Sequence, residues 1–126
     1  MGFSFNTRIN IMKNTICGFN QDAVLDLRKV VNEDGHIKTI KPDCTDLEIL
    51  RWIVWRSPMN STDFGVPASY GALVNEMPAL DITNGTFYSK LKKMVRLGLL
   101  TKTEGHPGRS ESFYIPGPNY RQLLAD

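Results

Sequence analysis

The chain has 126 residues, of which 41% are hydrophobic and 22% charged, a composition typical of one soluble globular domain with a modest core. Two cysteines, Cys17 and Cys44, are too few for a disulfide framework and are expected to be free thiols in a reducing compartment. The sequence shows no signal peptide, no apolar run of about 20 residues and no pattern of metal ligands. We therefore expect a cytoplasmic protein with no membrane span and no cofactor.

Charge is distributed unevenly along the chain. The net charge is only +2, but residues 83–126 contain seven Lys/Arg and three Asp/Glu, whereas residues 1–82 contain eight Lys/Arg and ten Asp/Glu. Such a split favours a basic binding surface towards the C-terminal end of the sequence.

The first 44 residues are predicted to contain a strand and a helix. Phe3 to Ile11 alternates apolar and polar side chains, which predicts a half-buried strand, with a loosely ordered tail as the alternative. Asn20 is placed to cap a helix over residues 21–32, and the turn residues Glu33-Asp34-Gly35 would end it. Residues 36–41 are predicted to be extended.

A long apolar helix is predicted next. Thr45-Asp-Leu-Glu48 matches a capping box, in which the threonine and glutamate side chains satisfy backbone N–H groups at a helix start. Residues 46–56 are apolar nearly all round, which places the helix in the core or at a subunit interface. Ser57-Pro58 is expected to end it, and residues 57–65 to form a polar loop.

A short helix is predicted before the basic segment. Residues 64–66 are predicted to form a short strand, and Pro67 suits the first position of a helix. The apolar face of that helix is formed by Tyr70, Leu73, Val74 and Met77. Pro78 closes it, and a turn of about five residues follows.

Residues 81–100 predict one capped, amphipathic and basic helix. Thr83 or Asn84 can cap its start, and Gly98 supplies the left-handed residue that ends many helices. Its apolar stripe is Phe87, Leu91 and Met94, with Val95 at the edge. The opposite side carries Thr86, Ser89, Lys92, Lys93 and Arg96. Residues 84–97 contain four Lys/Arg and no acidic residue, a pattern that favours a polyanionic partner.

Two extended segments after this helix predict a β-hairpin. Residues 99–103 and 112–115 flank a Gly/Pro-rich turn over residues 104–111, whose tip carries His106 and Arg109. A short terminal helix is predicted after the hairpin, over residues 119–125.

The order helix, turn, basic helix, Gly-Leu-Leu, hairpin resembles a winged helix-turn-helix over about residues 45–116. The resemblance is carried by Ile82-Thr-Asn-Gly-Thr-Phe-Tyr-Ser-Lys-Leu-Lys-Lys-Met-Val-Arg-Leu-Gly-Leu-Leu100. This segment is similar to the recognition helices of MarR-, ArsR- and PadR-type regulators. The resemblance implies an α+β, mostly α, fold: a winged helix domain over residues 45–126, with residues 1–44 as an extension packed on it and the hairpin as the wing.

The chain departs from those regulators in two respects. It lacks the long terminal dimerisation helix that they often add, and it starts with a strand and a helix that they do not require. The stretch from Thr45 through Phe64-Gly-Val66 to the basic helix is more similar to small winged-helix modules of phage or plasmid replication proteins. The resemblance therefore implies either a transcriptional regulator or a replication-associated DNA-binding protein.

A winged helix implies double-stranded DNA as the partner, with helix 84–97 in the major groove and wing 104–111 against the flank. Thr86, Ser89 and Lys93 are expected near base edges, and Lys92 and Arg96 nearer phosphates. The predicted contact set is Asn84, Thr86, Ser89, Lys90, Lys92, Lys93, Arg96, His106 and Arg109. The alternatives are a solvated lysine face and a hairpin tip without a DNA contact. Tyr88 is expected to be a packing residue rather than a phosphate ligand.

The same residues also allow other functions. A winged helix can also act as a protein–protein adaptor without specific DNA binding, which salt-dependent retention on DNA would distinguish. The sequence contains no recognisable catalytic pattern, so we do not expect an enzyme, and a small-molecule effector is unsupported. A homodimer is expected because one winged helix reads only one short half-site. Strand 3–11 and helix 46–56 are the candidate interfaces, with burial inside one chain as the alternative.

Overall fold

The structure is a computed structural model, and it describes residues 15–60, 65–103, 108 and 112–124. Within these residues the chain forms an α+β fold of four α-helices, two short 3₁₀ helices and small antiparallel sheets. The predicted strand Phe3–Ile11 lies outside the described residues.

The first described elements are a small hairpin and a short helix. β1 (Thr15–Ile16) pairs with β2 (Phe19–Asn20). Asn20 then caps α1 (Gln21–Asp26), because its side-chain oxygen accepts a hydrogen bond from the N–H of Ala23 at 2.9 Å. The predicted cap is confirmed.

The helix predicted over residues 21–32 is wrong beyond the end of α1. A hairpin of β3 (Lys29–Glu33) and β4 (His36–Ile40) follows instead. Its turn residues Asp34 and Gly35 have φ of 53° and 80°, the left-handed pair that suits a two-residue hairpin turn. The β-branched valines of β3 also favour a strand. The extended conformation predicted after this turn is confirmed.

α2 spans Cys44–Asn60, and its N-terminal cap differs from the predicted box Thr45–Glu48. The N–H of Asp43 donates to Oδ2 of Asp46 at 2.9 Å, and the N–H of Asp46 donates to Oδ1 of Asp43 at 2.8 Å. The helix begins two residues earlier than predicted, so the reciprocal pair is made by the two aspartates. The predicted end at Ser57-Pro58 is also wrong. A proline this close to the helix end removes one backbone hydrogen bond from the last turns but leaves the earlier ones intact.

The segment after α2 contains an edge strand and a capped helix. β5 (Val66–Ala68) includes Pro67, which was expected to open the following helix. Proline is tolerated there because β5 is an edge strand. Ser69 caps α3 (Tyr70–Glu76) through a 3.2 Å hydrogen bond from the N–H of Ala72. A 3₁₀ turn over Pro78–Leu80 follows, so the predicted stop at the proline is confirmed.

α4 (Asn84–Arg96) matches the sequence prediction at both ends. Thr83 caps it, accepting a hydrogen bond from the N–H of Thr86 at 3.2 Å. Gly98 has φ of 78°, and the N–H of Leu99 donates to the Met94 carbonyl at 2.9 Å, which closes the last turn.

The predicted hairpin is confirmed by β6 (Leu100–Lys102) and β7 (Ser112–Pro116), which pair antiparallel. β5 pairs with the other edge of β7, giving a three-stranded antiparallel sheet in the order β5-β7-β6. The sequence did not predict that β5 pairs with β7.

The short terminal helix predicted over residues 119–125 is a 3₁₀ helix over Tyr120–Leu124. The connection between β7 and this 3₁₀ helix packs against the residues that follow the C-terminal end of α4. The N–H of Gly117 donates to the Leu99 carbonyl at 2.9 Å, and the N–H of Asn119 donates to the Gly98 carbonyl at 2.7 Å. A Cβ on Gly117 would lie 2.3 Å from the carbonyl oxygen of Gly98, so only glycine fits this crossing.

One hydrophobic core joins these elements. Ile49, Leu50 and Ile53 of α2 are fully buried with Phe87 and Leu91 of α4. β2 and α1 also contribute buried side chains to this cluster, so these two elements pack on the rest of the fold. In the part of the chain that the structure describes, no helix is both long and apolar enough to cross a bilayer, and no group of three potential metal ligands occurs.

Candidate nucleic-acid interface

α4 divides into a buried face and an exposed face. Phe87, Leu91 and Met94 recur at helical spacing and are buried in the core. On the opposite side Ser89, Lys92 and Arg96 are exposed. Three- and four-residue spacing aligns these last three side chains along one strip of the helix, hereafter the outer strip.

The first turn of α4 presents small polar groups. Asn84 and Thr86 are exposed. The hydroxyl of Thr83 accepts from the Thr86 N–H and donates to Oγ1 of Thr86 at 3.0 Å. The Thr86 hydroxyl therefore keeps its own proton free to donate outward.

Lys90 and Lys93 do not belong to the outer strip. Nζ of Lys90 lies 3.0 Å from Oδ2 of Asp43 and 3.2 Å from Oδ1 of Asp46, and Nζ of Lys93 lies 2.5 Å from Oδ2 of Asp46. The Asp46 side chain is fully buried, and the two lysine side chains are 16% and 26% exposed. The ion pairs of these two lysines join α4 to the start of α2. Their predicted DNA contacts stay a prediction.

The ionisation of this cluster follows from its contacts. Burial acts to raise the pKa of Asp43, but the hydrogen bond from the Asp46 backbone and the Lys90 ammonium outweigh it and lower that pKa below its usual value. Burial acts to lower the pKa of Lys90, but hydrogen bonding and attraction from Asp43 and Asp46 outweigh it and raise that pKa. Both groups are held in their charged forms at neutral pH.

Arg96 is held by the β3–β4 hairpin. Its guanidinium forms an ion pair with Glu33, and its backbone carbonyl accepts a hydrogen bond from Nζ of Lys29 at 3.3 Å. The hydrogen bond from Arg96 lowers the pKa of Glu33, assisted by Lys38. Both side chains of the ion pair remain about 40% exposed, so Arg96 can exchange this carboxylate for a phosphate.

Lys92 is the cation of α4 with no ion pair to any described residue, and its side chain is exposed. It borders a groove of about 380 Å³ between α4 and the sheet, hereafter the α4–sheet groove. The groove is lined by Tyr88, Lys92, Val95, Arg96, Lys102, Ser112 and Tyr114.

Tyr88 packs as expected but remains partly exposed. Its ring meets Phe87 edge-on with centroids 4.9 Å apart, and its hydroxyl accepts from the N–H of Tyr70 at 3.3 Å. The side chain is still 37% exposed on the groove side of α4. Its position beside Lys102 and Tyr114 is not predictable from sequence periodicity, because neighbouring positions across a helix and a sheet leave no periodic signal.

The predicted wing contacts His106 and Arg109 lie outside the described residues, in the segment that joins β6 to β7. The last pair of this ladder is Lys102 with Tyr114.

The candidate dimer surface on α2 is partly buried and partly exposed. Leu47, Ile49 and Leu50 are buried, whereas Trp55 is 64% exposed with the Arg51 guanidinium 4.0 Å from its ring centroid. The other candidate surface, strand 3–11, is outside the described residues.

Glu33, Asp43 and Asp46 are the acidic partners of α4 that the sequence did not predict. Comparison with known proteins gives no match to a protein-family model, to a curated protein or to a solved structure. We therefore infer the function from the geometry of α4 and its surroundings.

Proposed function

We propose that the protein binds double-stranded DNA in a sequence-specific manner, with α4 in the major groove. The observation that carries this proposal is the outer strip, where Ser89, Lys92 and Arg96 are exposed on the side opposite the buried stripe. The major groove is about 12 Å wide and admits one α-helix. The described part of α4 contains no acidic side chain that would repel phosphates.

The arrangement of elements supports a winged helix-turn-helix. α3 and α4 are joined by a short turn and lock together, because the Tyr70 hydroxyl donates to the Ile82 carbonyl at 2.7 Å and its ring packs against Phe87. The β6–β7 hairpin follows α4 directly, and β5 completes its sheet. We propose residues 45–116 as the DNA-binding unit.

Within the predicted contact set we propose separate roles, based on the ion pairs of α4. Lys92 and Arg96 are the proposed phosphate ligands, and Ser89, Thr86 and Asn84 the proposed base-edge or backbone ligands. Lys90 and Lys93 act mainly by orienting α4 against α2. His106 and Arg109 are proposed as flanking contacts of the wing, and Arg109→Ala is expected to weaken binding by about 1–3 kcal/mol.

Fluorescence anisotropy with a labelled random-sequence duplex tests the proposal. Binding should weaken steeply with salt, and Lys92→Ala should lower the slope of log affinity against log salt by about 1. Lys41→Ala is the matched control, because Lys41 is exposed, has no ion pair with a described residue and lies outside α4. Equal effects of the two variants, or no salt-dependent binding by the wild type, would refute duplex binding through α4.

Sequence specificity needs a separate measurement. Selection of bound fragments from random DNA should yield a motif, and Ser89→Ala or Thr86→Ala should change it without a large change in salt slope. Steep salt dependence without any motif would indicate a non-specific architectural protein.

A homodimer is proposed on a different observation, the exposed Trp55 beside Arg51. Aromatic residues and arginine are enriched at interface cores, and two half-sites give a specific operator. Sedimentation at tens of micromolar should show a dimer that Trp55→Ala converts to a folded monomer. Persistence of the dimer would place the interface elsewhere. If DNA binding also fails, this surface instead favours the adaptor function.

A further inference from the structure

The α4–sheet groove has one rigid aromatic wall. Tyr88 is fixed from two sides, by the ring of Phe87 and by the hydrogen bond from the Tyr70 N–H, yet 37% of it is exposed. Val95, which is 36% exposed, extends the apolar surface along α4. The buried ring of Tyr114 closes the groove from the sheet side. A flat apolar ligand can therefore lie against Tyr88 without first ordering that side chain.

The rim of the same groove is cationic. Lys92, Arg96 and Lys102 line it, and none of its lining residues is acidic. Lys92 and Lys102 form no ion pair with a described residue, and both are exposed. The groove therefore combines an aromatic wall with uncompensated positive charge, which complements a ligand that is flat on one side and anionic on the other.

A nucleotide has this combination of a flat base and a phosphate, and its size suits a groove of about 380 Å³. Inside a base-paired duplex, both faces of each base are covered by the neighbouring bases. The base that can reach Tyr88 is therefore an unpaired one.

We propose that the α4–sheet groove holds an unpaired nucleotide of DNA next to the duplex bound by α4, with the base stacked on Tyr88 and the phosphate between Lys92 and Lys102. This inference rests on the proposed function, because it places DNA along α4. The protein would then recognise single-stranded tails, gaps or opened base pairs in addition to duplex sequence.

Anisotropy with three kinds of labelled probe tests the groove: a blunt duplex, two tailed versions of it with a short single-stranded tail on one strand or the other, and the single strand alone. The wild type should bind one of the tailed duplexes about tenfold more tightly than the blunt duplex. Tyr88→Leu should abolish that preference and leave affinity for the blunt duplex unchanged. Tyr88→Phe, which keeps the ring, is the matched control and should retain the preference.

The outcomes separate this inference from the proposed function. Equal wild-type affinity for blunt and tailed duplexes overturns the groove assignment and leaves duplex binding standing. If Tyr88→Leu lowers the affinity for the blunt and the tailed duplexes equally, the groove assignment is also overturned, because Tyr88 would then affect binding only by supporting the fold. Binding of the single strand that depends on Tyr88, without binding of the blunt duplex, supports the groove and refutes the duplex proposal. Absence of binding to all three kinds of probe refutes both.

Discussion

Lys93 of α4 lies 2.5 Å from a carboxylate oxygen of Asp46, whose side chain is fully buried at the start of α2. Asp46 also accepts a hydrogen bond from the Asp43 N–H, so one carboxylate both caps α2 and orients α4. The ion pairs of Asp46 thus hold α4 so that its outer strip is exposed, and the proposed DNA binding does not require contact with Asp46. This separates residues that position α4 from residues proposed to bind.

Asp46→Ala should destabilise the fold strongly. Removal of one partner of a buried ion pair typically costs 3–5 kcal/mol, and we expect about 3 kcal/mol because Lys90 and Lys93 keep partial access to water. Urea unfolding measures the loss. Asp26→Ala is the control, since Asp26 is exposed on α1, and it should change stability by less than about 0.5 kcal/mol. A loss below about 1 kcal/mol for Asp46→Ala would contradict the role given to this pair.

Glu33→Gln should strengthen DNA binding. The substitution removes the carboxylate that neutralises Arg96 and leaves the guanidinium available for a phosphate. The salt slope should become steeper by about 1, because one more phosphate contact releases one more counterion. Asp26→Asn makes the same charge change away from α4 and should leave the slope unaltered. A lower affinity for Glu33→Gln would show that Glu33 orients Arg96 for binding rather than competing with DNA.

Acid should weaken the fold through Glu33 and Asp43. The pKa of each carboxyl is lower in the folded protein than its usual value, so the folded state binds protons more weakly than the unfolded state. The stabilisation is fully present above the unfolded pKa and is lost as pH falls through the folded pKa. The free energy of unfolding in urea should therefore fall between about pH 6 and about pH 3.

The variant that tests this pH dependence carries Glu33→Gln and Asp43→Asn, where asparagine keeps an oxygen to cap α2. Its stability should fall less steeply in acid than that of the wild type. Asp22→Asn provides a control at an exposed site and should retain the wild-type dependence. A double variant that follows the wild-type curve would assign the acid sensitivity to other carboxyls.

Two glycines should respond to alanine in opposite directions. At Gly117 a Cβ would meet the backbone of Gly98 and Leu100 at 2.3–2.8 Å, so Gly117→Ala should cost about 1–3 kcal/mol or more. At Gly71, within α3, a Cβ meets nothing within 4 Å, so Gly71→Ala should stabilise by about 0.5 kcal/mol. Thermal and urea unfolding compare the two. Similar stability of both variants would contradict the close crossing at Gly117.

The elements that sequence predicted best are those defined by local signals. The stripe of α4, its threonine cap and its terminal glycine lie within about four turns of one helix, and all three are confirmed. The β3–β4 hairpin was missed because Val24, Leu27 and Val31 also fit a helical spacing. The Asp34-Gly35 turn supplied the competing hairpin signal, and it prevails in the structure.

The environment of α4 could not be predicted in the same way. Lys90 is 47 residues from Asp43 in sequence, and Arg96 is 63 residues from Glu33. No periodicity connects such distant positions, because their contact depends on how separate elements pack. The sequence therefore predicted a helix with four cations and no acidic partner, whereas the folded chain pairs three of those cations with described carboxylates.

The crossing at Gly117 fastens the base of the β6–β7 hairpin to the end of α4. Backbone hydrogen bonds join Gly117 to Leu99 and Asn119 to Gly98, and the Asn119 amide donates to the Leu97 carbonyl at 2.8 Å. These bonds hold the start of β6 and the end of β7 together at the C-terminal end of α4. The angle between the sheet and α4 is therefore set before any ligand binds. A ligand between them meets a preorganised cleft and loses little affinity to the ordering of its walls.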